Sequence, residues 1–197
     1  MPHYNPQDRF FKKAKQEGYR ARSAFKLEEI QSKFHIIKQG DKVLDLGAAP
    51  GSFIQFISKI IGGGMVIGID LKPITDFKKP NIKTYQGDIF DDVVYSQIKS
   101  DTSLDSFNVL TSDLAPSTSG IKSLDAGRSF LLNDQVLNVA EKYLKKGGNA
   151  LMKIFPGADL DKLMQRAKQM FRETKISKPE AVRKSSREIY IICIGKR

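Results

Sequence analysis

The sequence predicts an α/β fold with a mainly parallel sheet and helices on both of its faces. Short apolar segments with strand character alternate with amphipathic segments along most of the chain, and this alternation is typical of βαβ units. Four of the apolar segments end at or near an aspartate: Asp45, Asp70, Asp88 and Asp113. Because ligands of open α/β sheets bind beyond the carboxyl ends of the strands, these acids are candidates for one common site.

The elements follow from hydrophobic periodicity and from capping and turn residues. Helices are expected over residues 21–34, 52–61, 124–144 and 159–171. Strands are expected over residues 42–47, 65–70, 82–88, 106–113, 149–155 and 188–195. Residues 91–100 are expected to form a polar helix or a loop. In the long third helix, Leu131 and Val136 are predicted to face inward, and Gly147 with Gly148 to end the helix.

Composition and charge limit the class of protein. The chain has 197 residues, of which 40% are hydrophobic, and a net charge of +11, which suits one basic domain with a polyanionic partner. Its single cysteine excludes an internal disulfide and a cysteine-rich zinc site, and we expect no metal site. No apolar run reaches the ~18 residues that span a bilayer, and no secretory signal is visible. We therefore expect a cytoplasmic protein that does not contact membranes.

The first residues are strongly basic, with a net charge of +5 over residues 1–26. Aromatic residues are interleaved with these cations: Tyr4, Phe10, Phe11, Tyr19 and Phe25. Cations neutralise phosphates and aromatic faces stack on unpaired bases, so residues 1–20 are a candidate RNA-binding arm in front of one domain at 21–197. The alternative is a solvated tail whose aromatic residues pack on the domain. A second basic cluster near the other end is weak evidence by itself: Arg183, Lys184 and Arg187.

The most informative stretch is VLDLGAAPGSF, a strand that runs through a tight turn into a helix. Gly47 and Gly51 let the backbone approach a ligand closely, and Pro50 stiffens the turn. Asp70 can accept hydrogen bonds from ribose hydroxyls, and Asp88 could reach an adenine amino group. The turn lacks the three-glycine pattern of a pyrophosphate site, so S-adenosylmethionine suits it better than NAD. A plain strand-to-helix turn is the alternative.

Seven motifs, taken in order, resemble the FtsJ/RrmJ family of S-adenosylmethionine-dependent RNA ribose 2′-O-methyltransferases. They are RARSAFKL, LDLGAAPGSF, IGIDLKP, QGDIFD, SDLAPSTSG, LMKIFPG and SSREIYII. The resemblance implies a class I, Rossmann-like methyltransferase fold with a seven-stranded sheet, and makes the domain at 21–197 catalytic. It also implies a catalytic tetrad: Lys26, Asp113, Lys153 and Glu188. The expected S-adenosylmethionine site comprises Asp45, Gly47, Ala48, Pro50, Gly51, Phe53, Asp70, Asp88 and Asp113.

The implied reaction needs residues of these types. A ribose 2′-hydroxyl is a weak acid, so a base must take its proton as the oxygen attacks the sulfonium methyl group. Lys153 lies in an apolar strand, which suits a half-buried base, and Asp113 is expected to orient it. Glu188 is expected to bind the hydroxyl or to hold Lys26. Family members commonly carry Gly-Gly-Trp where this chain has Gly-Ser-Phe after the motif proline, so we expect altered cofactor affinity but retained binding.

The resemblance also implies a substrate. Short family members modify a uridine ribose in the aminoacyl-site loop of large-subunit ribosomal RNA, so we expect RNA within the large ribosomal subunit as partner and a monomeric enzyme. Transfer to tRNA or to mRNA caps is the alternative within the family. A non-catalytic RNA-binding module would have lost a tetrad residue, and none is lost. An NAD-dependent oxidoreductase would need a pyrophosphate glycine pattern and a substrate domain, and both are missing.

Overall fold

Helices and strands alternate along residues 9–197, the part of the chain that the computed structural model describes. The helices are α1 (Arg9–Gln16), α2 (Ala24–Phe34), α3 (Ser52–Ile60), α4 (Asp92–Thr102), α5 (Lys122–Tyr143) and α6 (Leu160–Met170). The strands are β1 (Lys42–Leu46), β2 (Met65–Asp70), β3 (Ile82–Gln86), β4 (Phe107–Ser112), β5 (Leu144–Ile154), β6 (Phe171–Ser177) and β7 (Ile189–Lys196).

The strands form one sheet of seven in the order β3-β2-β1-β4-β5-β7-β6. Strands β1 to β5 pair in parallel, whereas β7 is antiparallel to both of its neighbours, β5 and β6. The predicted seven-stranded, mainly parallel sheet is therefore confirmed. Because β7 runs backwards, its first residue, Ile189, pairs with Ile154 at the end of β5. The start of β7 thus lies at the carboxyl edge of the parallel strands.

Each face of the sheet carries its own hydrophobic core. Successive side chains of a strand point to opposite faces, so Val43 joins the core beneath α1, α2 and α3 while Leu44 joins the core beneath α4, α5 and α6. The helices contribute the apolar side of their surface, for example Ile57 of α3 to the first core and Val136 of α5 to the second. Helices therefore cover both faces and leave the carboxyl edge for a site.

Some local predictions were wrong. Leu131 is 62% exposed, because five residues of helix place it roughly 140° around the axis from the buried Val136. Gly147 and Gly148 do not end a helix; they lie in β5, where the register with β4 shifts. A Cβ atom on Gly148 would stand 2.7 Å from the carbonyl oxygen of Asn108, so the irregular pairing needs a glycine there.

The described part of the N-terminal segment packs on the domain. Ala14 of α1 is buried, and the ring of Phe25 lies 5.8 Å from that of Phe10 and 5.5 Å from that of Tyr19. These aromatic side chains therefore contribute to the core beneath α1, α2 and α3 rather than being free to stack on bases. Tyr4 lies outside the described residues, and the boundary between arm and domain at residue 20 stays a prediction.

Candidate active site

Four charged side chains meet at the carboxyl edge of the sheet as two ion pairs. Lys26 of α2 is paired with Glu188, which immediately precedes β7. The Nζ atom of Lys153 in β5 lies 3.0 Å from Oδ1 of Asp113, which follows β4, and donates a hydrogen bond to the Asp113 carbonyl oxygen. The side chains are largely buried, with exposed fractions between 7% and 19%. The structure therefore brings together the four residues that the family resemblance implies as a tetrad.

The sheet register explains this convergence. Lys153 pairs with Tyr190 across β5 and β7, so Glu188 lies two residues beyond that pair at the same edge. α2 packs on one face of the sheet, and its residue Lys26 extends to the carboxyl edge. The ammonium group of Lys26 lies 6.0 Å from the centre of the Tyr190 ring.

Tyr190 is a member of this cluster that sequence reasoning missed. Its hydroxyl donates a hydrogen bond of 2.7 Å to Oδ1 of Asp113, and its side chain is fully buried. Burial, together with the negative charges of Asp113 and Glu188, raises the pKa of Tyr190 far above its ordinary value, so it remains a neutral donor. In the sequence it stands in an apolar strand, where a tyrosine looks like an ordinary core residue.

The surroundings of Asp113 keep it charged. Burial alone would raise the pKa of this carboxyl group, but the ammonium groups of Lys153 and Lys26 and the hydrogen bonds from Tyr190 and Lys153 outweigh burial. The pKa of Asp113 is therefore lowered from its ordinary value. A permanently ionised Asp113 can hold the ammonium group of Lys153 in a fixed position.

The loop between β1 and α3 lies beside this cluster. Gly47 has a φ of +73°, and a Cβ atom there would approach the Leu114 side chain to 2.7 Å, so only glycine fits. The Asp70 carboxylate, at the end of β2, accepts hydrogen bonds from the backbone N–H of Ala49 at 2.9 Å and of Lys72 at 2.8 Å. Asp70 therefore fixes the loop and retains acceptor capacity for a ligand.

The other predicted cofactor residues fall into two groups. Pro50 and Asp88 are exposed, whereas Gly51 is buried next to the side chains of Phe77 and Arg20. Ala48, Phe53 and Asp45 are buried beneath the loop: Ala48: 4% exposed, Phe53: 3%, Asp45: 0%. These three can support the loop, but Asp45 has no surface with which to contact a ligand. Phe53 packs into the core instead of presenting its aromatic face.

Arg20, a second residue that sequence reasoning missed as part of the site, joins three segments around the loop. Its guanidinium group donates to the carbonyl oxygens of Pro50 at 3.1 Å and Thr75 at 2.7 Å, and it lies 3.8 Å from the centre of the Phe77 ring. Its backbone N–H donates to the Gln55 side chain of α3 at 2.7 Å. Arg20 thus holds the loop between β1 and α3 against the segment after β2.

Basic side chains border the tetrad on the other side. Arg22 donates to the carbonyl oxygen of Ala181, and the nearby charge of Arg183, after burial, contributes to lowering the pKa of Arg22. We call Arg22, Arg183, Lys184 and Arg187 the basic surface. The sequence separates Arg22 from the other three by some 160 positions, and the fold places it close to Arg183 and Glu188. This surface leads directly to Glu188.

Two kinds of feature are absent from the described residues: a cluster of metal ligands and a helix that could cross a membrane. Within residues 9–197, no three His, Cys, Asp or Glu side chains are grouped so that they could hold a metal ion. No helix in the same range combines the length and the apolar character needed to cross a bilayer.

Comparisons with known proteins identify the family of this chain. The model of the family described as FtsJ-like methyltransferase matches residues 19–196. Two proteins named ribosomal RNA large subunit methyltransferase E are similar along nearly their full length. The one from Syntrophobacter fumaroxidans is 43% identical over 96% of this chain and 95% of its own. The one from Bdellovibrio bacteriovorus is 43% identical over 98% of this chain and 99% of its own.

Solved structures show the same fold. The crystal structure of a ribosomal RNA methyltransferase from Plasmodium falciparum superimposes with a TM-score of 0.81 and 30% identity, covering 90% of this chain and 98% of that one. The fibrillarin/Nop5p complex gives a TM-score of 0.60 at 18% identity over 86% of this chain and 80% of the fibrillarin-complex chain, which shows the fold alone.

Fold and comparisons together define a class I methyltransferase, an α/β enzyme with its site at the carboxyl edge of the sheet. Within that class, the chain belongs to the FtsJ-like methyltransferase family. It is therefore an RNA methyltransferase, as the seven sequence motifs predict.

Proposed function

We propose that the protein transfers the methyl group of S-adenosylmethionine to a ribose 2′-hydroxyl of large-subunit ribosomal RNA, at a uridine of the aminoacyl-site loop. The observation that carries the proposal is the meeting of two lysine–carboxylate pairs, Lys26–Glu188 and Lys153–Asp113, from four distant segments beside the glycine loop. A purely structural role would not require four largely buried charges at the ligand edge of an α/β sheet.

The loops at this edge fit S-adenosylmethionine. The acids Asp70 and Asp88 suit ribose hydroxyls and an adenine amino group. Leu71 and Phe90, which follow these strands, are 68% and 55% exposed and offer apolar surface for the adenine ring. When bound, the cofactor supplies an electrophilic methyl group on a sulfonium. The glycine turn gives the methionine portion close access to the backbone.

The tetrad residues then have distinct roles. We assign Lys153 as the base: after its ammonium group has given one proton to solvent, the neutral amine takes the proton of the 2′-hydroxyl while the oxygen–methyl bond forms, the methyl–sulfur bond breaks and S-adenosylhomocysteine leaves. Asp113 fixes the Nζ atom of Lys153, at 3.0 Å, and is itself held by Tyr190. Lys26 and Glu188 position the ribose and its phosphate from the opposite side. In-line alignment of oxygen and methyl group contributes much of the rate.

The substrate assignment rests on the relatives and on charge. The relatives from Syntrophobacter and Bdellovibrio carry names that specify the large subunit of ribosomal RNA, and they match this chain nearly end to end. The basic surface, Arg22 with Arg183, Lys184 and Arg187, provides phosphate contacts beside the tetrad. We propose that a single copy of the chain, acting in the cytoplasm, is sufficient for the reaction.

A tritiated-methyl assay tests the proposal directly. Large subunits, deproteinised rRNA and free tRNA are prepared from cells that lack this enzyme, and the modified nucleotide is mapped. We expect incorporation on the large subunit at a uridine 2′-oxygen. Incorporation on tRNA alone would point to the alternative substrate class, and none on any RNA would contradict the proposal.

Replacement of the base separates chemistry from cofactor binding. Lys153→Ala is expected to abolish methyl transfer, while calorimetry shows S-adenosylmethionine affinity within a few-fold of the wild type, because the side chain acts on the hydroxyl. The same titration should show no NAD binding. Turnover like that of the wild type in Lys153→Ala would remove Lys153 from the role of base.

A further inference from the structure

A cavity of about 310 Å³ lies between the amino end of α5 and the loop that joins β5 to α6. Phe130, Ile154, Phe155 and Pro156 supply apolar surface, and Lys122 and Arg187 supply positive charge. None of these six residues except Arg187 belongs to the site described above. The volume is within the range of ~300–1,000 Å³ that is typical of small-ligand sites.

Two residues that line the cavity are chain neighbours of tetrad residues. Ile154 follows Lys153 in β5, and Arg187 precedes Glu188. The backbone here is fixed, because Phe155 donates its N–H to Ser129 Oγ at 3.0 Å and Asn133 donates to the Lys153 carbonyl oxygen at 2.9 Å. The cavity is therefore one residue of backbone away from the tetrad at two places.

The lining suits a nucleobase with its phosphate. Partly exposed rings of Phe130 and Phe155 offer faces on which an unpaired base can stack. The ammonium group of Lys162 lies 5.5 Å from the centre of the Phe130 ring and adds positive charge. Asp159, the one acid of the lining, can accept a hydrogen bond from an N–H group on the base edge. The amino ends of α5 and α6 both border the cavity and favour a phosphate outside it.

We propose that this cavity receives an unpaired nucleobase of the substrate RNA, at or beside the nucleotide whose ribose is methylated. The inference rests on the proposed function and adds a specificity subsite to it. Binding of a flipped or unstacked base there anchors the strand, so that the 2′-hydroxyl is presented to Lys153. Double-stranded RNA cannot fill the cavity, because its bases remain paired and stacked.

Gly127 gives a sharp test. It lines the cavity from α5, and a Cβ atom built on it meets no atom within 4 Å. The side chain of Gly127→Leu therefore starts in open space and takes up cavity volume, and the substitution improves helix propensity, so the fold should persist. Gly63→Leu is the matched control: the same substitution, again with nothing within 4 Å, in the turn before β2 at the opposite edge of the sheet.

We expect Gly127→Leu to raise the KM for unmethylated large subunits by about fivefold or more, because stacking of one base on an aromatic residue contributes ~1–3 kcal/mol. The dissociation constant for S-adenosylmethionine should stay the same. A second measurement places 2-aminopurine at the target position and at each neighbour in an rRNA hairpin. One position should be quenched by the wild type and not by Gly127→Leu.

The outcomes are distinct. A KM of Gly127→Leu within twofold of the wild type, or an equal loss in Gly63→Leu, overturns the cavity as a base site. Quenching at no position overturns it as well. Absence of methyl transfer by the wild type itself would instead refute the proposed function, and the base site would fall with it.

Discussion

Two aspartates only one strand apart in the sheet have opposite electrostatic behaviour. Asp113 has a lowered pKa because two lysines and Tyr190 oppose the effect of burial. Burial, together with the negative charges of Asp113 and Asp70, raises the pKa of Asp45 to about 8, against the hydrogen bond that its carboxyl group accepts from Thr111 at 2.7 Å. Asp45 is therefore neutral at pH 7 and supports the loop as a carboxylic acid, while Asp113 works as a carboxylate.

Asp45 should make the native state less stable as the pH rises. Between an unfolded pKa near 3.8 and a folded pKa of about 8, only the native state keeps the proton. The free energy of unfolding therefore falls with pH in this window, by at most about 1.4 kcal/mol per pH unit from this group. Asp45→Asn keeps the acceptor for Thr111 and removes the titration, so its stability should be less dependent on pH.

Urea unfolding of both proteins at pH 5, 6, 7 and 8 checks this expectation. The difference in unfolding free energy should shift in favour of Asp45→Asn as the pH increases. Parallel curves for the two proteins would show that Asp45 does not carry the buried proton.

At the residue scale, the sequence was informative about charged residues and uninformative about their partners. The four tetrad residues stand in recognisable motifs. Tyr190 and Arg20 could not be recognised as site residues from the sequence. A tyrosine in an apolar strand is typical of a core, and an arginine in a basic segment is typical of a charged surface. Their contacts with Asp113 and Pro50 depend on tertiary packing between segments far apart in the chain.

At the scale of elements, the helices and strands that could be predicted are those whose sequences carry a pattern of apolar residues. The strands β1 to β5 and β7 contain buried apolar runs and were predicted, with inexact ends. β6 was missed because it is an edge strand in which only Phe171 is buried, so its sequence FRETKIS shows no alternation. α1 was missed for a similar reason, since Ala14 is its one buried residue. Asp91, whose side chain accepts from the Val93 N–H, explains why 92–102 is a helix.

Arg20 couples the segment before α2 to the loop between β1 and α3. Arg20→Ala removes hydrogen bonds to the carbonyl oxygens of Pro50 and Thr75 and the contact with Phe77. We expect S-adenosylmethionine binding to weaken by about 1–2 kcal/mol, or roughly 5- to 30-fold, because the loop must be ordered when the ligand binds. The loss should appear in the KM for the cofactor more than in kcat.

Calorimetry with S-adenosylmethionine measures this effect. Lys79→Ala is the control, since it removes an exposed cation from the same segment without touching the loop. Equal affinities of Arg20→Ala and Lys79→Ala would mean that Arg20 contributes to the fold only.

On the scale of the whole molecule, the fold brings basic residues close together that are far apart in the sequence. Arg9 of α1 is paired with Glu180 at 3.2 Å, and this contact brings α1 next to the basic surface. Lys13 is partly neutralised by Glu17 at 3.6 Å. Lys12 and Lys15 are exposed, and their side chains form no ion pair among residues 9–197. Of the four N-terminal cations, these two are the better candidates for phosphate contacts.

The double variant Lys12→Ala/Lys15→Ala tests whether α1 contributes to RNA binding. Each phosphate neutralised on a single strand adds ~0.7 to the slope of log K against log salt, so the slope should flatten by about 1.4 if both lysines engage. Cofactor affinity should not change. RNA binding measured at four salt concentrations checks this, and slopes identical to the wild type would assign α1 to folding alone.

The position of β7, last in the chain but between β5 and β6 in the sheet, has a consequence for protein synthesis. A nascent chain that has emerged as far as β6 already contains the glycine loop, Asp113 and Lys153, but neither Glu188 nor Tyr190. In that intermediate, β5 and β6 have not yet received the strand that lies between them. Synthesis of Glu188 and β7 therefore completes both the sheet and the cluster of charged side chains at its carboxyl edge. A messenger RNA that stops before Glu188 encodes the five parallel strands but not the partner of Lys26 or the tyrosine that donates to Asp113.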